Sequence, residues 1–325
     1  MSKLFTLDEL LLLYTRKFKD VIFEDAGSNM NEPIYYFMAN EGKLVRPQLV
    51  LASCNMFGGD LEEAMYPAFG IQMFHNFTLV HDDIMDKADI RRGQASVHKK
   101  FGLNEAIISG DLMMLYAYDY FGKVKPAHFQ EVFKNFNTTA NRIIEGQQMD
   151  INFEKRIHVR KQEYLQMIEY KTSVLIAESM RIGAIIADTS DEQKQLAYDF
   201  GLYTGLSFQI KDDWLDAFGA GDKFGKKIGG DLIQNKKTIL FIEAMELADA
   251  KTREKIISLL DSEDESEKIS EMLNIYRELK VDNIVSRLMS DYFEQSLGCI
   301  DKIDVDTDRK QHLINFAHHI HNRDH

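Results

Sequence analysis

The stretch from Leu61 to Asp86, LEEAMYPAFGIQMFHNFTLVHDDIMD, sets Met, Leu, Ile and Phe at three- and four-residue steps and ends in three aspartates within five residues. That spacing is the signature of a buried α-helix and cannot be satisfied by a strand, whose side chains alternate every second residue. NEAIISGDLMMLYAYDYF, KQEYLQMIEYKTSVLIAESMRIGAIIA and DEQKQLAYDFGLYTGLSFQIKDDWLDAF have the same period. Two-residue alternation is scarce. The chain therefore reads as all-α, a helical bundle of ten or more helices around one core.

Breakers are few. The 325 residues include only four prolines, and no Pro-, Gly- or Ser-rich linker divides them, so a single domain over 1–325 is expected. Loops are expected at Glu41–Gly42, Gly58–Gly59, Ala88–Gly93 and Gly219–Asp231. The last, with its glycines and lysines, has the composition of a flap over an anion. The N-terminal MSKLFTLDELLLLYTRKF reads as an amphipathic helix, and no apolar run is long enough for a membrane span. The tail HHIHNRDH reads as a frayed, solvated end.

A net charge of −13 argues against a nucleic-acid partner and against stable membrane association. The two cysteines, Cys54 and Cys299, match no zinc or redox spacing and read as reduced thiols of a cytoplasmic protein.

The acidic residues cluster. Asp82-Asp83-x-x-Asp86 and Asp212-Asp213-x-x-Asp216 each close an apolar helical segment. Positions i and i+4 lie about 40° apart on a helix, so Asp82 shares a face with Asp86, and Asp212 with Asp216. Carboxylates so close repel one another, and the negative end of a helix dipole disfavours them further. A divalent cation relieves both penalties, and magnesium is usually shared between one or two carboxylates and substrate phosphates. Cations for phosphates are present as well: Lys43 and Arg46 at a helix start, Arg91-Arg92 after the first cluster, Lys171 in an apolar helix, and Lys226 and Lys236 about the Gly-rich stretch.

These motifs occur in a set order: Gly42-Lys43…Arg46-Pro47, Gln72-x-x-His75, the first aspartate cluster, Arg91-Arg92-Gly93, Gly110-Asp111, Gly146-Gln147-x-x-Asp150, Lys171-Thr172, Gln209-x-x-Asp212-Asp213-x-x-Asp216 and Gly225-Lys226. In that order they closely resemble the trans-isoprenyl diphosphate synthases, or polyprenyl synthetases, from about residue 35 to 245. The resemblance implies an all-α fold around a central cavity, usually in a homodimer. It implies a prenyltransferase that condenses isopentenyl diphosphate with an allylic diphosphate, using three magnesium ions per site. Asp82, Asp86 and Asp212 resemble the metal ligands, with Asp83, Asp213 and Asp216 completing the two clusters. Lys43, Arg46, His75 and Arg92 resemble the site for isopentenyl diphosphate. Arg91, Lys171, Lys226 and Lys236 resemble contacts to the allylic diphosphate. Lys171, Thr172 and Gln209 resemble the groups beside the reacting carbons.

Phe77 stands where the family carries an aromatic floor that limits chain length, with Phe74 and Thr78 beside it. The expected product is a short chain of fifteen to twenty carbons, with twenty favoured. Two departures stand out: Glu41-Gly42-Lys43-Leu44 where Gly-Gly-Lys-Arg is usual, and Asn235-Lys236 where Gly-Lys is usual, which leaves Lys236 and Lys237 to be separated. A class I terpene cyclase would carry Asn, Ser and Glu in its second metal motif. A regulatory subunit of a heteromeric synthase would have lost aspartates. A plain acidic helical binding protein would not need the ordered cations.

Overall fold

The computed structural model describes residues 3–24, 27, 29–40, 42–219 and 229–323. In chain order the helices are α1 (Leu7–Phe18), α2 (Glu32–Met38), α3 (Val45–Phe57), α4 (Leu61–Met85), α5 (Val97–Lys100), α6 (Leu103–Phe121), α7 (Pro126–Glu154) and α8 (Lys161–Ile168). They continue as α9 (Val174–Ile186), α10 (Asp191–Phe218), α11 (Gly230–Ile233), α12 (Ile239–Leu247), α13 (Ala250–Leu260), α14 (Glu265–Glu278), α15 (Val281–Asp301) and α16 (Thr307–Asn322). The all-α expectation is met. The described residues form two compact units, each drawn from three stretches of chain: 1–136, 179–195 and 305–312, and 137–178, 196–304 and 313–325.

In the first unit α4 is the central element. Asp60 caps it, accepting from the Glu62 and Glu63 N–H groups at 3.0 and 3.4 Å. Apolar residues occupy nearly its whole circumference, and it is buried almost continuously from Glu63 to Phe77 against α3 and α6. The N-terminal helix α1 forms as expected. Thr6 and Glu9 close a reciprocal capping box at 2.9 and 3.2 Å, and Leu10, Tyr14 and Phe18 are buried. Gly183 fits close packing: a Cβ there would lie 2.3 Å from the Val50 carbonyl oxygen.

In the second unit α12 is buried from Ile239 to Met245, apolar but for Glu243, which Lys161 meets at 2.6 Å, and sits among α8, α14 and α15. Two features depart from the sequence reading. The Ala88–Gly93 loop opens a small antiparallel hairpin, β1 (Ile90–Arg91) with β2 (Gln94–Ala95). Its two-residue turn has Arg92 and Gly93 at φ 51° and 77°, the left-handed pair that a twisted hairpin needs. The run 161–187 is not one regular helix either, because Glu169–Ser173 forms a π-helical turn between α8 and α9. The tail is also ordered further than expected: α16 runs to Asn322, and His321 stacks on Phe293 with ring centroids 4.2 Å apart. Burying an aromatic face outweighs the fraying of a polar terminus.

One half-buried ionic group gives the first unit a pH dependence. His128 bridges Glu63 at 2.8 Å and Asp188 at 3.0 Å. Burial alone would push the imidazole pKa down, but hydrogen bonds to the two carboxylates outweigh it and raise the value above 6.5. A raised folded-state pKa contributes stability that is complete below the unfolded value and is lost as pH rises through the folded one. Unfolding free energy should therefore decline as pH rises above about 6.5, and His128→Gln should flatten that decline in urea titrations. An unchanged slope in the variant would refute the assignment.

Candidate functional site

The first unit gathers cations at one end of α3 and α4. Leu44, at φ 49°, turns the chain so that Arg46 falls in the first turn of α3. Arg46 Nη1 lies 3.0 Å from His75 Nε2, so the ring nitrogen accepts and His75 is neutral. Burial, then the charges of Arg46, Arg92 and Arg91, hold the imidazole well below its usual range. Arg46 is itself lowered to about 10 by burial and by Arg92. Arg92 enters from the hairpin turn, anchored by Nη1 to the Asn40 carbonyl at 2.7 Å. Gly42 leaves room for it, since a Cβ there would lie 3.0 Å from Arg92 Nε. Among the described residues Arg46 Nε is buried and finds no acceptor. A buried N–H on a charged guanidinium, beside a second guanidinium, is a place for an anion.

The first aspartate cluster closes the C-terminal end of α4, and the helix divides it. Asp82 and Asp86 are part-exposed, whereas Asp83 is 1 % exposed and turned inward. Asp83 Oδ1 accepts from Arg91 Nε at 2.9 Å and Nη2 at 2.5 Å, and Asp82 Oδ2 stands 3.7 Å from the same Nη2. Burial raises the Asp83 pKa more than Arg91 lowers it. The sequence reading counted Asp83 among the metal residues and Arg91 among the diphosphate contacts; the structure pairs them with each other. His81, which the sequence reading passed over, sits with Nε2 3.1 Å from the Ile107 carbonyl. Gly110 makes that possible, because a Cβ there would fall 2.2 Å from the same nitrogen.

Of the residues expected to limit chain length, Phe74 is fully buried, edge-on to Phe77 and to Phe136 at 5.3 and 5.1 Å. Phe77 is also edge-on to His81 at 4.9 Å. Thr78 donates to the His75 carbonyl at 2.8 Å.

In the second unit the π turn sets out Lys171 and Thr172. Gly146 on α7 and Gly205 on α10 admit the widened backbone, since Cβ atoms there would lie 2.4 Å from Lys171 N and 2.8 Å from Ser173 Cα. Such turns place side chains that a regular helix would aim elsewhere. Lys171 Nζ binds Asp150 at 2.6 Å, and Lys236 Nζ lies 3.8 Å from the same oxygen and 3.2 Å from Glu154. Lys237 is buried, bonded to the Asn235 carbonyl at 2.6 Å with its charge over Phe241. Lys236, and not Lys237, therefore joins Lys171. Lys226 and Gly225 lie outside the described residues.

The second cluster is divided as the first is. Asp213 is 6 % exposed and accepts from Tyr164 Oη at 2.5 Å and Gln209 Nε2 at 3.1 Å. Burial pushes its pKa up to about 7. Asp212 keeps two-fifths of its side chain exposed and is paired with Arg323, whose guanidinium lies over Phe208. Asp216 Oδ2 accepts the Asp231 N–H at 3.0 Å. The sequence reading missed Tyr164, which looks like any periodic apolar position, and Arg323, which sits in the polar tail.

The donor set suits a hard cation. The less buried groups, Asp82, Asp86, Asp212 and Asp216, offer only oxygen. Among the described residues no three His, Cys, Asp or Glu side chains converge to cage a metal unaided. Magnesium needs no such cage, because it takes one or two carboxylates and completes its shell with water and phosphate oxygens.

The polyprenyl synthetase family model matches residues 28–279, well past the residue-245 limit of the motif resemblance. The chain belongs to the polyprenyl synthetase family. It is 35 % identical over 282 residues to the geranylgeranyl diphosphate synthase of Sulfolobus acidocaldarius, covering 85 % of each chain. It is 33 % identical over 285 residues to the short chain isoprenyl diphosphate synthase of Methanothermobacter thermautotrophicus, covering 87 % of each. A crystal structure of a geranylgeranyl pyrophosphate synthase superposes with a TM-score of 0.93 at 34 % identity, over 99 % of this chain and 100 % of that one.

Replacing Arg91 tests the inward pairing. Arg91→Met strands the buried Asp83 carboxylate and should cost about 3 kcal/mol of unfolding free energy in urea, the low end for a broken buried pair because Arg91 is part-exposed. A loss under about 1 kcal/mol would mean that the pair is no stronger than a surface ion pair.

Proposed function

We propose that this family member is a short-chain trans-prenyltransferase that joins isopentenyl diphosphate to allylic diphosphates, with a product of fifteen to twenty carbons. The observation that carries this reading is the half-buried Arg46–His75–Arg92 group, in which among the described residues the buried Arg46 Nε–H finds no acceptor, in a chain whose two aspartate clusters each leave an i, i+4 pair part-exposed. Twenty carbons is favoured, in line with the names of its relatives.

Lys43, Arg46 and Arg92 bind the diphosphate of isopentenyl diphosphate, with His75 fixing Arg46 as a neutral acceptor. Lys171 and Lys236 bind the allylic diphosphate, and Arg91 adds those N–H groups not given to Asp83. Lys226 has the same role by resemblance. Asp82, Asp86, Asp212 and Asp216 hold magnesium, three ions by the family resemblance. When bound, it neutralises charge that builds on the departing diphosphate. Thr172, whose hydroxyl donates to Gln209, turns its oxygen dipole toward the allylic carbon as it loses its leaving group. By the family resemblance the double bond of isopentenyl diphosphate then attacks that carbon, and proximity supplies much of the rate. The released diphosphate takes the last proton. Phe77, backed by Phe74, limits growth of the tail, with Thr78 beside it.

The test is an incubation of purified protein with magnesium, isopentenyl diphosphate and ten- or fifteen-carbon allylic diphosphates, with products read by chain length. Linear diphosphates ending at fifteen or twenty carbons are expected. Cyclic hydrocarbons, or no consumption of any primer, would contradict the proposal.

A homodimer and a cytoplasmic location belong to the same reading. Leu103, Ile107, Ile108 and Leu115 on α6 are exposed, with Phe129 and Phe133 at the start of α7. A row of large apolar side chains on adjoining helices has the character of an interface. Light scattering should give twice the chain mass, and Ile107→Asp with Leu115→Asp should give one; a monomeric parent would remove the dimer. The location is supported by two unpaired thiols, Cys54 and Cys299. Fractionation of the source cells checks it.

A further inference from the structure

The middle aspartate of the second cluster belongs to a polar chain that begins at Tyr164 and ends on Gln209 and Thr172. Tyr164 Oη donates to Asp213 Oδ2 at 2.5 Å. Gln209 Nε2 donates to Asp213 Oδ1 at 3.1 Å. Thr172 Oγ1 donates to Gln209 Oε1 at 3.0 Å. Tyr164 and Asp213 are buried, at 1 % and 6 % exposure, and every link lies between described residues of one unit.

The direction of these bonds has a chemical consequence. A carboxylate oxygen accepts and the Gln209 amide has one donating and one accepting end, so Asp213 selects which end Gln209 turns toward Thr172. The NH₂ group faces Asp213, so the carbonyl oxygen must face Thr172. The Thr172 hydroxyl then gives its proton to Gln209, and the lone pairs of Thr172 Oγ1 face away from the chain. Without Asp213 the amide is free to flip, and Thr172 would accept from NH₂ and point its proton outward instead. One orientation presents negative dipole to an electron-deficient carbon, and the other presents positive dipole.

We propose that Asp213 is a positioning residue, held by Tyr164, that sets the polarity of the Gln209–Thr172 pair, and that it is not a metal ligand. This rests on the prenyl-transfer reading above, because only an electron-deficient reaction centre makes that polarity matter. Both Asp213 oxygens accept from the protein, and Asp213 is 6 % exposed, against two-fifths for the Asp212 side chain, which pairs with Arg323.

The experiment compares Asp213→Ala, Asp213→Asn, Tyr164→Phe and Asp212→Asn with the parent in two assays. The first is steady-state prenyl transfer. The second is the rise in melting temperature on titrating magnesium with inorganic pyrophosphate present, which needs no turnover. Asp213→Ala should lose about tenfold to a hundredfold in kcat with KM for both diphosphates nearly unchanged. Asp213→Asn should recover most of that loss, because its amide oxygen still accepts from Gln209 while its NH₂ group meets Tyr164. Tyr164→Phe should lose severalfold in kcat and keeps the test open where Asp213→Ala does not fold. All three should keep the parent's magnesium midpoint, whereas Asp212→Asn should shift it by about tenfold. A midpoint shift in Asp213→Asn equal to that in Asp212→Asn would make Asp213 a ligand and overturn the proposal. Unchanged kcat in Asp213→Ala, or in Tyr164→Phe where Ala does not fold, would overturn it too. Absence of prenyl transfer in the parent would defeat the functional reading, and the melting assay would still decide whether Asp213 binds metal.

Discussion

A helix that carries Asp-Asp-x-x-Asp must put one of its three carboxylates on a different face from the other two, and most of the chemistry in this chain follows from that. The i, i+4 pair points one way. The middle residue, about 100° round, points into the protein and must find donors there. In the first unit the donor is Arg91, delivered by the tight hairpin after α4. In the second the donors are Tyr164 and Gln209. The two solutions differ in kind: a charged pair where the middle residue is held by a loop, and neutral hydrogen bonds where it is held by helices. Each arrangement leaves the outer carboxylates the less buried members of their cluster.

The same logic governs the cations. Arg46 is half-buried beside a histidine kept neutral, and among the described residues its buried Nε–H finds no acceptor. Lys171 and Lys236 meet at one carboxylate, Asp150, and Lys236 also reaches Glu154, so the carboxylates hold the two cations side by side. Glycine provides the approach in both units: Gly42 admits Arg92, Gly110 admits His81, and Gly146 admits the π turn that carries Lys171. Gly42 and Gly110 are thus steric partners of particular side chains, and Gly146 of a particular stretch of backbone.

Much of this was legible in the sequence. The 3.6-residue period of Leu61–Met85 and Asp191–Phe218 was plain enough to set both the helical class and the ends at which the aspartates fall. Arg46 was readable at a helix start because Pro47 follows it. Long-range pairings were not readable. Nothing about Tyr164 distinguishes it from the apolar residues on either side of its helix, and Arg323 reaches Asp212 across more than a hundred residues of sequence. The hairpin escaped notice because strands of two residues carry no alternation to detect. The π turn escaped because Lys171-Thr172 has helical composition, and the cause of the widening lies on two other helices.

The division of labour within an aspartate cluster is the central claim, and the first cluster offers its most direct test. Asp82→Asn and Asp83→Asn are to be compared by melting temperature, with and without magnesium and pyrophosphate. If the outer carboxylate serves the cation and the middle one serves the fold, Asp82→Asn leaves the metal-free melting temperature near that of the parent and loses the rise on adding magnesium. Asp83→Asn then lowers the metal-free melting temperature and keeps the rise. The reverse pattern, with Asp83→Asn abolishing the magnesium response in a protein of unaltered stability, would contradict the account.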